Sequence, residues 1–138
     1  IYMKKLFKTL VFASLLSLIS CGNNVEKSRF FYDKGMDYLY SSQFEEAIEQ
    51  FNQSIRLDSQ NHEAYFYRGC AKYNIFQKED AVNDYLKTIE LNPEYLQAYF
   101  NLGLYYRSIN DHDMACYYFK IAEDKGRPNM EDYTKHCR

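Results

Sequence analysis

The chain has 138 residues, 46% of them hydrophobic and 26% charged, which suits one core-forming domain of ordinary size and excludes a large multidomain enzyme. A formal net charge of −2 argues against a protein that neutralises a run of phosphates, so no nucleic-acid partner is expected. Aromatics are frequent, Tyr 15 and Phe 10 with Trp 0, while Gly 5 and Pro 2 supply few breaks, a balance that favours long helices over many-turned β architectures.

Residues 3 to 21 read MKKLFKTLVFASLLSLISC. Lys4, Lys5 and Lys8 precede an apolar run from Leu10 to Ile19, the layout of a secretory signal. A membrane-spanning helix needs about 20 apolar residues, and this shorter run already contains Ser14 and Ser17. The segment ends Leu18-Ile19-Ser20-Cys21, which resembles the lipobox of bacterial lipoproteins. The resemblance implies that residues 1–20 are a signal peptide removed at the Ser20–Cys21 bond, and that Cys21 carries a diacylglyceryl group and an N-acyl chain. It also implies a bacterial cell-envelope location; with no Asp after Cys21, the outer membrane facing the periplasm is expected. Several acyl chains suffice for stable anchoring. Ile1 and Tyr2 precede the plausible initiator Met3 and are set aside. Without Lys4, Lys5 and Lys8 the chain carries 14 basic against 19 acidic residues, so lipid rather than charge must do the anchoring. Residues 21–27 read as a short polar tether, reaching at most roughly 25 Å when extended.

From residue 28 the chain repeats every 34 residues. Gly35, Gly69 and Gly103 keep this interval, as do Ala47, Ala81 and Ala115. Phe31, Tyr65, Tyr99 and Tyr133 form one aromatic register, and Phe51, Tyr85 and Phe119 another. Ile55-Arg56-Leu57-Asp58 is echoed by Ile89-Glu90-Leu91-Asn92, followed by Pro93. Small residues belong where paired helices approach closely, and rings fill the gaps between units. This pattern resembles the tetratricopeptide repeat family, whose helix-turn-helix unit has that length. The implied fold is all-α: an α-solenoid of three repeats at 28–61, 62–95 and 96–129 with a capping helix at 130–138. Helices are expected near 29–41, 44–57, 62–75, 78–91, 96–109, 112–125 and 130–137. Three slots depart from the pattern. Lys72 stands where its neighbours have Tyr38 and Tyr106, Phe44 becomes Lys78 and His112, and the usual small turn residue becomes Ser42, Phe76 and Asn110. Gly126 suits the C′ position of the sixth helix and Pro128 the start of the next element.

No catalytic constellation emerges. His62, His112 and His136 occupy unrelated repeat positions, and there is no Cys-x-x-Cys, no His-Glu-x-x-His, no phosphate loop and no nucleophile elbow. Glu45-Glu46 and Glu79-Asp80 lie in the first turns of second helices, where acidic side chains favour the helix dipole. Neither an enzyme nor a metal site is expected, and no cofactor apart from the lipid on Cys21. Cys70, Cys116 and Cys137 leave at least one cysteine unpaired; a Cys116–Cys137 bridge tying the cap to the third repeat and three separate apolar fillers both remain open.

In the repeat family the first helix of each unit lines a concave groove. The resemblance places Arg29, Tyr32, Met36, Leu39 and Tyr40 there, then Glu63, Phe66, Cys70, Tyr73 and Asn74, then Gln97, Phe100, Leu104, Arg107 and Ser108. Tyr32, Phe66 and Phe100 would form an aromatic stripe that either packs inward or anchors a peptide, with Arg29 and Arg107 as polar guides. The Lys and Asn with which chaperone-tail binders of the family hold a terminal carboxylate are missing. The expectation is a membrane-anchored, non-enzymatic scaffold that binds another protein or peptide segment, with a small-ligand or glycan carrier as the alternative.

Overall fold

The computed structural model describes residues 22–137. The proposed signal segment and Cys21 lie outside them. Helix α1 spans 22–40, followed by α2 (Phe44–Leu57), α3 (His62–Asn74), α4 (Lys78–Leu91), α5 (Leu96–Ser108), α6 (His112–Asp124) and the single turn α7 (Glu131–Thr134). Consecutive helices pack as antiparallel pairs, with no strand among the described residues. The fold is the expected all-α solenoid of three helix-turn-helix units with a terminal cap.

The 34-residue periodicity has a direct packing cause. A Cβ added at Gly35 would lie 2.6 Å from the Phe51 ring, and one at Gly69 would lie 2.8 Å from Tyr85; Gly103 meets Phe119 in the same way. Each second-helix ring therefore lies on the bare backbone of its partner helix. Ala47 and Ala81 are fully buried and Ala115 nearly so. Each of these rings also meets the fifth residue of its unit: Tyr32–Phe51, Phe66–Tyr85 and Phe100–Phe119 have centroids 6.0, 5.7 and 5.7 Å apart. Glycine, the second-helix ring and the fifth-position ring thus form one packing element used three times.

The turns inside the units also repeat. Ser42, Phe76 and Asn110 have φ of 58°, 65° and 62°. In each, the left-handed residue donates its N–H to the second-last carbonyl of the helix and the next residue reaches one further back, as in Phe76 N to Tyr73 O and Gln77 N to Lys72 O. This Schellman arrangement satisfies terminal carbonyls. The substitutions in the turn slot therefore leave the turn geometry intact. Gly126, with φ 92°, closes α6 in the same way. Between units, Asp58 and Asn92 do one job: each Oδ1 accepts from the backbone N–H two residues on, Gln60 at 3.0 Å and Glu94 at 3.1 Å. That shared turn explains the echo between the two segments that end in these residues.

Two expected boundaries move. Residues 22–27 continue α1 and are exposed instead of forming an extended tether, so at 1.5 Å per residue they reach only about 9 Å. The terminal helix shrinks from 130–137 to Glu131–Thr134 because Cys137 turns back to bond Cys116, their Cα atoms 5.4 Å apart. The disulfide settles the alternative left open by the cysteine count, and Cys70 is the free thiol among the described residues. Met130, 1% exposed, and Tyr133, 4.9 Å from Phe100 and 5.1 Å from Phe119, seat the cap on the third unit. Among the described residues no helix is long and apolar enough to cross a membrane.

Candidate functional site

The resemblance assigns the inner face to α1, α3 and α5, and the residues expected there have different fates. Tyr32 and Phe66 are only 8% and 6% exposed. They are core residues, because each is pressed against the second-helix ring of its own unit and against Tyr67. Phe100 is half-buried beneath the Arg127 guanidinium, 3.9 Å from the ring centroid, and beside Tyr133. The aromatic stripe is thus an internal seam and not a row of free anchors. Arg107 is spread over Phe119 and Tyr133 at 5.6 and 5.1 Å. Its position makes it a brace for the cap. Arg29 pairs with Asp33 at 3.0 Å in an exposed i,i+4 contact and lies over Tyr32. Met36 and Leu39 pack partly buried in the first core cluster, whereas Tyr40 is 80% exposed. Gln97 and Ser108 are exposed, and Tyr73 lies under Lys78 Nζ at 5.4 Å.

Between α3 and α5 the face opens into a cavity of about 190 Å³ lined by Cys70, Tyr73, Asn74, Tyr85, Asn101 and Leu104. Cys70, Tyr73, Asn74 and Leu104 were expected on the groove. Tyr85 and Asn101 were not. The register of Tyr85 marks it as a packing ring, and it is 2% exposed, yet its hydroxyl donates toward Cys70 Sγ at 3.8 Å. The usable signal was that this register holds phenylalanine at Phe51 and Phe119 but a hydroxyl-bearing ring here. Asn101 sits one residue beyond the fifth position, and its Nδ2 also points to Cys70 Sγ at 3.8 Å. Asn74 Nδ2 donates to the Cys70 carbonyl at 2.9 Å.

Burial pushes the Cys70 thiol up to about 11, only partly opposed by the Tyr85 and Asn101 hydrogen bonds. At neutral pH it is a protonated, apolar wall and not a nucleophile. Burial likewise raises the Tyr85 phenol, so this lining carries no charge at neutral pH. Burial is the first cause that raises the neighbouring phenols of Tyr32, Tyr67 and Tyr95; Glu63 adds to the rise at Tyr32 and Tyr67 to that at Tyr95, while Tyr95 opposes the rise at Tyr67. No group of three His, Cys, Asp or Glu side chains among the described residues is placed to hold a metal ion. The chemistry available is reception of a neutral, mostly apolar group, with two amides at the border.

Family models described as TPR repeat and tetratricopeptide repeat match residues 35–75 and 84–117. Comparison with curated proteins gives no match. Among solved structures, the crystal structure of MamA is 27% identical with a TM-score of 0.70; the alignment covers 72% of this chain and 58% of that one, so the chain spans little more than half of MamA's length. The TPR domain of Arabidopsis OM64 is 22% identical at TM-score 0.76, covering 81% and 94%. The first TPR of Spaghetti (RPAP3), solved bound to the HSP90 peptide SRMEEVD, is 18% identical at TM-score 0.75, covering 80% and 90%. These last two likenesses concern the fold.

Proposed function

We propose that this chain, which carries tetratricopeptide repeats, is a non-enzymatic scaffold that holds a peptide segment of another protein on its inner face, tethered to the bacterial envelope through lipid on Cys21. The single observation that carries the binding part is the uncharged cavity between α3 and α5 on the face formed by first helices. Tetratricopeptide neighbours solved with HSP90 and Hsp70 peptides support a peptide as the kind of partner. Anchoring rests on the order of charge, apolar run, small residue and cysteine in residues 3–21, and the outer membrane facing the periplasm is the location this reading prefers. The covalent lipid is the one cofactor the function needs.

The alternative of a small-ligand or glycan carrier has less support at this cavity, since about 190 Å³ falls below the roughly 300–1,000 Å³ of ordinary ligand pockets; larger concavities of about 440 and 410 Å³ lie beside His112 and His136 and beside Phe100 and Arg127, away from it. Two measurements test the proposal. Metabolic labelling with palmitate should mark the wild-type chain and not Cys21→Ser. Affinity capture from solubilised envelope should retain a partner with the wild-type chain and lose most of it with Tyr40→Ala combined with Asn74→Ala, two exposed inner-face changes that leave the core untouched. Equal capture by both would remove the inner face from the mechanism.

A further inference from the structure

We propose that the cavity between α3 and α5 receives one uncharged aliphatic side chain, of about leucine size, from the bound peptide. This rests on the peptide-binding reading above and narrows it. The space of about 190 Å³ equals roughly six waters at about 30 Å³ each, enough for one branched side chain. Its walls are the Tyr73 and Tyr85 rings, Leu104 and the Cys70 thiol, so filling it removes apolar surface from water on both sides. A carboxylate or ammonium entering it would lose hydration and find no opposite charge in the lining. Asn101 directs one N–H to a weak sulfur acceptor at 3.8 Å, and the rest of its amide can meet the backbone that carries the inserted side chain.

The origin of the cavity is visible one unit earlier. The slots of Cys70 and Asn101 correspond there to Met36 and Tyr67, larger side chains that pack into the first core cluster. Two small replacements at one seam open the space. The same comparison supplies a filled variant that the fold already tolerates, Cys70→Met with Asn101→Tyr.

The test is a methyl and side-chain amide NMR titration of the full chain with N-acetyl-leucinamide, against N-acetyl-aspartate α-amide as the charged control. Saturable shifts of the Leu104 methyls and the Asn101 amide in the millimolar range are expected with the capped leucine. The capped aspartate should give shifts at least tenfold smaller at equal concentration, and the filled double variant should lose the leucine response by a similar factor. No saturable response, an equal response to the capped aspartate, or a response that survives filling would overturn the proposal. Absent leucine binding with intact partner capture discards the pocket and spares the scaffold. Leucine binding without any captured partner does the reverse.

Discussion

Lys72 Nζ lies 2.8 Å from Asp84 Oδ2, joining two helices at the slots where the third unit stacks Tyr106 on Tyr118 at 5.5 Å and 12°. The Asp84 side chain is only 5% exposed and is held also by the Arg68 guanidinium, through Nε at 2.9 Å and Nη2 at 2.5 Å. Arg68 Nη1 reaches back to Asn52 at 2.7 Å, so the network ties the second unit to the first. One carboxylate facing two cations satisfies its lone pairs, but taking those charges out of water offsets much of the attraction. Removing Asp84 leaves two mostly buried cations without their carboxylate. Asp84→Ala should therefore cost about 3–5 kcal/mol in urea denaturation. The triple change Arg68→Leu, Lys72→Tyr and Asp84→Tyr, which copies Leu102, Tyr106 and Tyr118, should bring stability back to within about 1 kcal/mol of wild type. A triple variant as unstable as Asp84→Ala would mean that the two solutions are not interchangeable.

Phe76 is the least suited of the three left-handed turn residues. Its ring is 83% exposed, and its φ of 65° brings the steric penalty that glycine avoids, about 1–2 kcal/mol for an L residue. Part of any gain from glycine is returned by the freer unfolded chain. Phe76→Gly should raise stability by about 0.5–1 kcal/mol with the urea m-value unchanged. Asn110→Gly should do less, because asparagine tolerates that conformation. Destabilisation by Phe76→Gly would show that the ring makes a contact of its own.

The glycine slots predict the opposite sign. A Cβ at Gly69 would sit 2.8 Å from Tyr85 Cε1 and 3.2 Å from the Ala81 carbonyl oxygen, the second of which cannot swing away. Gly69→Ala should cost about 1–3 kcal/mol in spite of alanine's better helix propensity. Adding Tyr85→Leu should show positive coupling in a double-mutant cycle, since the shorter side chain leaves room for the methyl.

These slots were legible because periodicity exposes a residue only where every unit solves a problem in the same way. Gly35, Gly69 and Gly103 meet the same ring each time, and Asp58 and Asn92 make the same turn. Lys72 looked like a defect because its compensation, Asp84, is also peculiar to one unit, and a pair of departures does not announce that it is a pair. Tyr32 and Phe66 failed as groove residues for a related reason. Spacing identifies the helix face, but not whether a neighbouring ring, here Phe51 or Tyr85, already covers it. Cys137 extends the Gly35, Gly69, Gly103 interval, so the disulfide to Cys116 falls where the first helix of a following unit would approach α6.

That disulfide closes a loop with a sequence separation of 21 and holds a cap whose only helix has four residues. Chain entropy assigns about 3 kcal/mol to a loop of this length, and a single helical turn has little stability of its own. Reduction should therefore loosen residues 130–137 first. Hydrogen exchange should accelerate there while α2 to α4 keep their protection, and the intact mass should rise by two hydrogen atoms. Uniform acceleration along the chain would show that the cap is not a separable element.

The pH dependence of stability follows from Cys70. Its thiol is raised from its ordinary 9.0 to about 11, mainly by burial, so between these values the unfolded chain has released a proton that the folded chain keeps. Linkage then gives the sign: this contribution is fully present below about pH 9 and is lost as the pH rises through 11. The two-unit gap corresponds to about 2–3 kcal/mol at most. The raised phenols of Tyr32, Tyr85 and Tyr95 act in the same direction above pH 10, their ordinary value. Urea midpoints measured from pH 7 to pH 11 should stay level at first and then fall. Cys70→Ser, which removes the thiol but not the phenols, should flatten the fall between pH 9 and 10 and leave the later one in place. Iodoacetamide should label native Cys70 far more slowly at pH 7.5 than a free thiol, and the rate should climb about tenfold per pH unit as the thiolate fraction grows. Rapid labelling at neutral pH, or an early fall in stability unchanged by Cys70→Ser, would contradict a thiol held neutral by its surroundings.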